Sequence, residues 1–386
     1  MFLYDRGSRN LIESFNEDIE KWQKDKICSS YPRVTKKQLI DNGIIILGAG
    51  VSGEHCVSML LSCGISTSWI VDRDTSLHGT CYNGIEIRPY SSLKEAGDSF
   101  VMLASTHVLE MISECKKYDI SKWILPASTR DFCHLGDVGI CNSSDDIEDN
   151  RDNMLMGFSL MPDEKSRQVY RAYIKYHHVF DNEFSRLCDP IHYFPEDLKH
   201  LIDYRCFVDV GAYTGDTLND WVMMYKPDSE LCAYYAFEPF YPAFCKLNEN
   251  MAALPNELRK KVFTFNMALG RENGFVNILG GQAGTHVSKT NDINKIQSSR
   301  IDDIFQTEAP PTYIKADVEG AELDVLSGAE STIRHHRPAL AIAVYHKYSD
   351  IWEIPIWINN LNCDYDIHLR HHPKVFTDTI CYAIPK

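Results

Sequence analysis

The feature that most constrains this chain is an apolar run that carries an acid and then turns at two glycines: Phe207-Val-Asp-Val-Gly-Ala-Tyr-Thr-Gly-Asp-Thr217. Cys206 to Val210 has the composition of a buried parallel strand. Asp209 lies at its end, and Gly211 and Gly215 punctuate a tight turn into a helical pattern that starts near Thr217. A glycine has no Cβ, so the backbone at such a turn can pass close to a ligand. An acid at the strand end disfavours a polyphosphate and suits a ligand that carries a cation or hydroxyls.

A second strand–glycine–helix unit lies upstream. Gly43-Ile-Ile-Ile-Leu-Gly-Ala-Gly-Val-Ser-Gly53 runs a short apolar strand into Gly48-x-Gly50-x-x-Gly53, and a helix is expected over His55 to Cys63. About 20 residues beyond the glycines, a strand from Thr67 to Val71 ends on Asp72. This is dinucleotide-fold spacing, in which a helix N-terminus meets a diphosphate and the acid meets a ribose hydroxyl. Strands at Ile85–Ile87, Phe100–Ala104 and Trp123–Leu125, with a helix over Val108–Tyr118, continue the alternation. Residues 1–145 therefore read as a Rossmann-like domain that takes a sugar nucleotide or NAD(P) at Gly48, Gly50, Gly53 and Asp72. A module of the same fold that binds nothing is the plainer reading.

Residues 141–153 are polar and acidic, the composition of a linker. Helical spacing follows in Val169, Tyr173, Tyr176, Phe180 and Phe184, so residues 146–200 read as a helical linker. From Cys206 onward strands and helices alternate again. Ala233–Phe237 ends on Glu238-Pro239; Val262–Phe265 runs into Asn266-Met-Ala-Leu-Gly270, where a small residue lets a flat ring lie close. Gly280–Gly284 with Ser288 reads as a loop over the site. Thr312-Tyr-Ile-Lys-Ala-Asp-Val-Glu-Gly-Ala-Glu322 is a strand that delivers Asp317 and Glu319, with Gly320 opening a helix. In open α/β sheets ligands bind at the carboxyl ends of strands, so Asp209, Glu238 and Asp317 are expected in one crevice. Carboxylates buried there need a ligand, a metal or hydrogen-bond donors. S-adenosylmethionine (SAM) offers both an ammonium and a ribose.

Asp209-Val-Gly-Ala-x-x-Gly-Asp-Thr217, Phe237-Glu-Pro239, Ile314-Lys-x-Asp-x-Glu-Gly-Ala-Glu322, Ala343-Val-Tyr-His-Lys347, Leu369-Arg-His-His372 and Asp378-Thr-x-x-Tyr-Ala383 together resemble the FkbM family of SAM-dependent methyltransferases. The resemblance covers residues from about 200 to the end. It implies a class I methyltransferase fold over 201–386, a seven-stranded sheet with an antiparallel last strand, so that the α/β chain carries two Rossmann-like three-layer domains. It also implies SAM at Asp209, Gly211, Gly215, Asp216, Thr217, Glu238, Pro239, Asn266 and Ala268, and O-methylation of a small molecule or a sugar or glycan precursor. Tyr213 departs from the smaller polar residue that the family often has there. Proton removal from the acceptor falls to Asp317, Glu319 or His346, with the imidazole best matched to neutral pH. Arg370, His371 and His372 either bind an anionic substrate or form a polar strand end. The reading takes no metal; the competing arrangement would be Asp317, His346 and one of His371 or His372 around Mg²⁺ or Mn²⁺. Two further readings stand beside the enzyme: a lapsed two-module scaffold, and a nucleotide-sugar oxidoreductase centred on Gly48–Gly53.

Bulk properties narrow the partners. A net charge of −15 argues against a nucleic-acid backbone. The 13 cysteines include no Cys-x-x-Cys pair, which fits reduced thiols better than a zinc knuckle. No signal-like segment opens the chain and no apolar run approaches the ~20 residues of a membrane span, so a cytoplasmic protein is expected, with the oligomeric state open.

Overall fold

The computed structural model describes residues 6–25, 34, 36–62, 64–105, 107–125, 145–179, 186–225, 233–279, 286–288, 295–305, 310–372 and 378–386. Contacts divide the chain into two units: Ser14–Asp152 with Ile174–Asp181, and Met1–Glu13 with Asn153–Tyr173 and Asn182–Lys386.

The N-terminal unit is built on β1 (Ile44–Leu47), β2 (Trp69–Asp72), β3 (Cys81–Tyr82), β4 (Ile85–Pro89), β5 (Phe100–Leu103) and β6 (Trp123–Ile124), in the order β3-β4-β2-β1-β5-β6. Only β3 runs antiparallel to its neighbour. The unbroken apolar run of β1 follows from its central place, since alternate side chains of a strand face opposite layers. Ile44 and Ile46 pack with Cys56, Val57 and Leu60 on one face. Ile45 and Leu47 pack with Val108, Met111 and Cys115 on the other. The helix after β1 spans Val51–Ser62, starting four residues before the expected His55. The turn needs only Gly48 to Gly50, and a Cβ on Gly53 would lie 1.9 Å from the Gly48 carbonyl oxygen. Glycine there is what lets the helix sit against the turn.

In the C-terminal unit the strands are β7 (Cys206–Val210), β8 (Ala233–Phe237), β9 (Val262–Phe265), β10 (Ala268–Leu269), β11 (Gly274–Leu279), β12 (His286–Ser288), β13 (Lys295–Ser299), β14 (Tyr313–Ala316), β15 (Ala339–Ala343), β16 (Tyr365–His371) and β17 (Thr379–Pro385). Seven form one sheet, β16-β17-β15-β14-β7-β8-β9, in which β17 alone runs antiparallel to its neighbours. Strands β10 to β13 make a separate four-stranded sheet. The expected loop at Gly280–Gly284 lies outside the described residues, and Ser288 ends β12.

Register sets the chemistry of the large sheet. Tyr313, Phe207 and Tyr234 are direct neighbours on β14, β7 and β8, with ring centroids 4.7 and 4.8 Å apart. Two residues further on, the same face carries Lys315, Asp209 and Ala236 side by side. An aromatic row thus walls in a charged pair.

The stretch read as a linker differs from expectation. A helix begins at Asp145 and runs to Ser159, and a second spans Glu164–Val179. Residues 153–173 belong to the C-terminal unit, where the Tyr170 hydroxyl donates to the Met154 carbonyl and Gly157 abuts Trp352. The polar composition of 141–153 concealed the buried Met154 and Phe158 that follow on the same helix.

Candidate active site

The carboxyl ends of β7, β8, β14 and β15 bring together much of what the sequence placed at the site. Gly211 has φ +80°, and a Cβ there would lie 1.9 Å from the Asp317 carbonyl oxygen, so the turn after β7 touches the end of β14 only because it is glycine. Gly215, at φ +88°, lets Leu247 pack against the turn, and Asp216 and Thr217 open the helix Asp216–Tyr225. Glu238 is buried just beyond β8 and accepts the Tyr213 amide at 2.8 Å and the Phe240 amide at 2.7 Å, one on each oxygen. Burial raises its pKa while those two amides oppose the rise. Each oxygen keeps a second lone pair for a ligand hydroxyl. Asn266 donates to the Glu238 and Pro239 carbonyls and fixes that corner from below. Ala268 is buried in β10, and Tyr213 is 48% exposed at φ +45°.

Asp209 does not serve the crevice. It is fully buried, 2.8 Å from the Lys315 ammonium, and accepts the Tyr234 hydroxyl. Lys315 also donates to the Gly211 carbonyl at 2.7 Å and lies over the Tyr193 ring. Burial alone would lower the ammonium's pKa, but Asp209, Asp317 and Asp216 outweigh it and hold the group charged. The acid read as a cofactor ligand is the internal counter-ion of a lysine, and it holds the turn in place.

Around Asp317 the structure assembles a cage. Its Oδ2 accepts the Tyr193 hydroxyl at 2.7 Å and its Oδ1 the Tyr345 hydroxyl at 3.0 Å. His346 Nε2 stands 3.4 Å from Asp317 Oδ1 and 3.5 Å from Glu319 Oε2, while Nδ1 faces Glu322 Oε1 at 2.8 Å. Glu319 (φ +54°) and Gly320 (φ +87°) make a left-handed corner whose amides at Val318 and Gly320 also point at Glu322 Oε1. Burial would depress the imidazole, but Glu322, Asp317 and Glu319 outweigh it and raise it to about 10. His346 is therefore an imidazolium at neutral pH and has no lone pair with which to take a proton. This corrects its reading as the general base. Burial raises the Asp317 carboxyl, but His346, Lys315 and the Tyr193 bond hold it below its ordinary range, so it is a weak base too. Replacing Tyr193 with Phe removes a hydroxyl from a charged acceptor. We expect a loss of ~1.5–3 kcal/mol in urea unfolding.

Asp317, Glu322 and His346 offer ligand atoms within 4.8 Å of one another, enough for a cation in distance alone. Nδ1 is hydrogen-bonded to Glu322 and Nε2 stands within ion-pair distance of Asp317 and Glu319, an arrangement that suits a charged ring in place of a metal. The other residues of the sequence-level metal arrangement are engaged elsewhere: His371 Nδ1 with the Thr379 hydroxyl and His372 Nε2 with that of Tyr382. Arg370 is buried between Asp163, Asp197 and Ser166, which makes it a structural anchor and not an anion receptor. Sequence reasoning missed Lys315, Tyr193, Tyr345 and Glu322 as members of this site, although Lys315 and Glu322 stand in the motif that carried the resemblance.

In the N-terminal unit Gly48 has φ +112° and Gly50 has open space where a Cβ would stand. Asp72 is less free than expected: Oδ2 accepts the Ala49 amide at 2.6 Å and Oδ1 the Asp74 amide at 2.8 Å. Beside it opens a cavity of about 460 Å³ lined by Asp72, Arg73, His78, Tyr90, Glu110 and Lys117 among others. Tyr90-Ser-Ser-Leu-Lys94 has the Tyr-x-x-x-Lys spacing of hydride-transfer enzymes, which the sequence reading passed over. It lies on the 3₁₀ helix Tyr90–Glu95, where residues three apart align and residues four apart do not. Lys94 is accordingly not among the cavity's lining residues.

A central parallel sheet with one reversed strand, glycine turns at β7 and carboxylates at the strand ends define a Rossmann-like α/β domain of the methyltransferase type. Residues 209–367 match the family model of the methyltransferase FkbM domain. Among solved structures, the methyltransferase FkbM from Methylobacillus flagellatus KT is 22% identical with a TM-score of 0.68, covering 97% of this chain and 100% of that one, which shows a shared fold. UDP-D-quinovosamine 4-dehydrogenase from Vibrio fischeri is 23% identical over 25% of this chain and 93% of that one, at a TM-score of 0.21. The repressor RSP of the Rex family is 14% identical over 40% of this chain and 97% of that one, at 0.21. The last two are too distant to bear on function. No curated protein sequence matches the chain. No described helix is long and apolar enough to cross a membrane.

Proposed function

We propose that the chain is a SAM-dependent O-methyltransferase that acts on a hydroxyl of a small molecule or a sugar or glycan precursor. The observation that carries this reading is the crevice itself: a glycine turn at Gly211 in contact with the end of β14, Glu238 at the end of β8 and Asp317 at the end of β14, inside a methyltransferase FkbM domain. When bound, SAM supplies an electrophilic methyl on a sulfonium. The residues present fit it. Glu238 is set to accept ribose hydroxyls, and Asp317 stands at the neighbouring strand end. Asp317, saturated by two tyrosines and an imidazolium, orients the acceptor or an ammonium without taking its proton. Much of the acceleration then comes from positioning, worth ~7–11 kcal/mol in well-oriented systems. The test is a screen of sugar nucleotides and simple sugars with SAM labelled in its methyl group. Label transferred to a hydroxyl supports the reading; label transferred to a nitrogen corrects the acceptor class.

The glycine turn at Gly48–Gly53 is the second proposed binding place, for a sugar nucleotide or NAD(P). Its support is the open space at Gly50 and the cavity beside Asp72. Because a Cβ at Gly50 meets nothing, Gly50→Asp should fold normally while placing a charge in the path of a diphosphate. We expect nucleotides to raise the melting temperature of the wild type and not of the variant. Equal shifts in both would remove this site.

A further inference from the structure

With His346 held as a cation, the acceptor proton needs another destination, and one imidazole remains beside Asp317. His192 lies in the irregular segment that precedes β7, with its ring stacked on Tyr193 at 4.1 Å between centroids and 4.7 Å from the ring of His372. Tyr193 is the residue whose hydroxyl binds Asp317 Oδ2. The charged groups that act on His192 come from each surrounding element: Asp317 and Lys315 from β14, Asp216 and Asp220 from the helix after the cofactor turn, and Asp378 from the start of β17. His372 flanks it at the end of β16. His192 Nε2 is shielded from water and has no hydrogen-bond partner. The ring therefore lies among groups from the glycine turn after β7, the end of β14, the residue that follows β16 and the residue that precedes β17.

We propose that His192 is the general base of this site, taking the proton of the acceptor hydroxyl as the methyl is transferred. The inference rests on the methyltransferase reading above. The hydroxyl oxygen forms its bond to the methyl carbon, and the carbon–sulfur electron pair stays on sulfur as a neutral thioether. The O–H proton passes to the imidazole, which becomes an imidazolium and later releases it to solvent. Burial keeps the resting ring neutral, with Lys315 adding to that effect against the pull of Asp378, Asp317 and Asp216. His372, pushed down to about 2 by burial and by His192, stays neutral and leaves the pair able to accept one proton. The two histidines at the crevice thus divide: His346 carries charge, and His192 moves it.

The test uses full-length protein labelled at histidine and S-adenosylhomocysteine as the probe, with the His192 ring signal assigned by its loss in His192→Gln. At neutral pH the wild-type ring should be neutral, its signal should move on adding the probe, and His346 should show a doubly protonated ring throughout. On an acceptor found by the sugar-nucleotide screen, His192→Gln should bind S-adenosylhomocysteine as the wild type does. Its kcat should fall by ~10²–10⁴-fold, and the acidic limb of its pH profile should be lost. A probe that binds while the His192 ring is cationic or unmoved overturns this inference alone, as does a variant with wild-type kcat. A probe that does not bind overturns the methyltransferase reading, and this inference with it. His192→Asn serves as the second variant if the glutamine does not fold.

Discussion

Lys315→Met should lower the stability of the C-terminal unit by about 3–5 kcal/mol, the usual cost of stripping one partner from a buried ion pair. The lysine is 3% exposed and Asp209 0%, so nothing from solvent can replace the ammonium. The substitution also leaves the Gly211 carbonyl without its 2.7 Å donor, which loosens the turn after β7. Adding Asp209→Asn should restore much of the loss, because the penalty comes from the stranded carboxylate and not from the missing attraction. Urea unfolding of the single and double variants checks both statements. A single variant within 1 kcal/mol of wild type, on the scale of an exposed ion pair at roughly 0–1 kcal/mol, would mean that the pair is not what holds the turn.

The second large effect follows from His346. Its folded pKa of about 10 stands above the ordinary 6.5, so the folded form binds the proton more tightly than the unfolded chain does. The stability it confers is complete below about pH 6.5 and is lost as pH rises through 10. At ~1.4 kcal/mol per unit this amounts to several kcal/mol, shared among Glu322, Asp317 and Glu319. His346→Asn should therefore lie well below wild type in stability at neutral pH, with the gap closing as pH approaches 10. Urea midpoints of both proteins across that range give the answer. A gap that stays constant, or widens with pH, would show that the ring is neutral in the folded protein.

The alternation of apolar runs and glycine turns made the six- and seven-stranded sheets legible, because central parallel strands must be apolar throughout and their turns must pass close to neighbouring backbone. The reversed β17 was legible only through the family resemblance, since hydrophobic pattern carries no strand direction. Asp209 was misread because an acid at a strand end looks the same whether it faces a ligand or a lysine. Its partner sits 106 residues later, and the pairing appears only once register aligns Lys315 with it. His346 was misread for a related reason. Glu319 and Glu322 were visible in the motif, but their convergence on one ring depends on the left-handed corner at Glu319 and Gly320. His192 left no trace at all, since the irregular segment that carries it has no periodicity to read. The helix Asp145–Ser159 shows the opposite failure, where polar composition masked a packed element.

The central claim is that the crevice at Glu238 and Asp317 holds SAM, and calorimetric titration of SAM into wild type and Glu238→Ala tests it most directly. The account predicts micromolar binding to wild type, on the order of −8 kcal/mol, and none measurable in the variant, whose fold is checked by its urea transition. Binding of equal strength in both proteins would place the cofactor elsewhere. A well-folded wild type that binds no SAM would contradict the account.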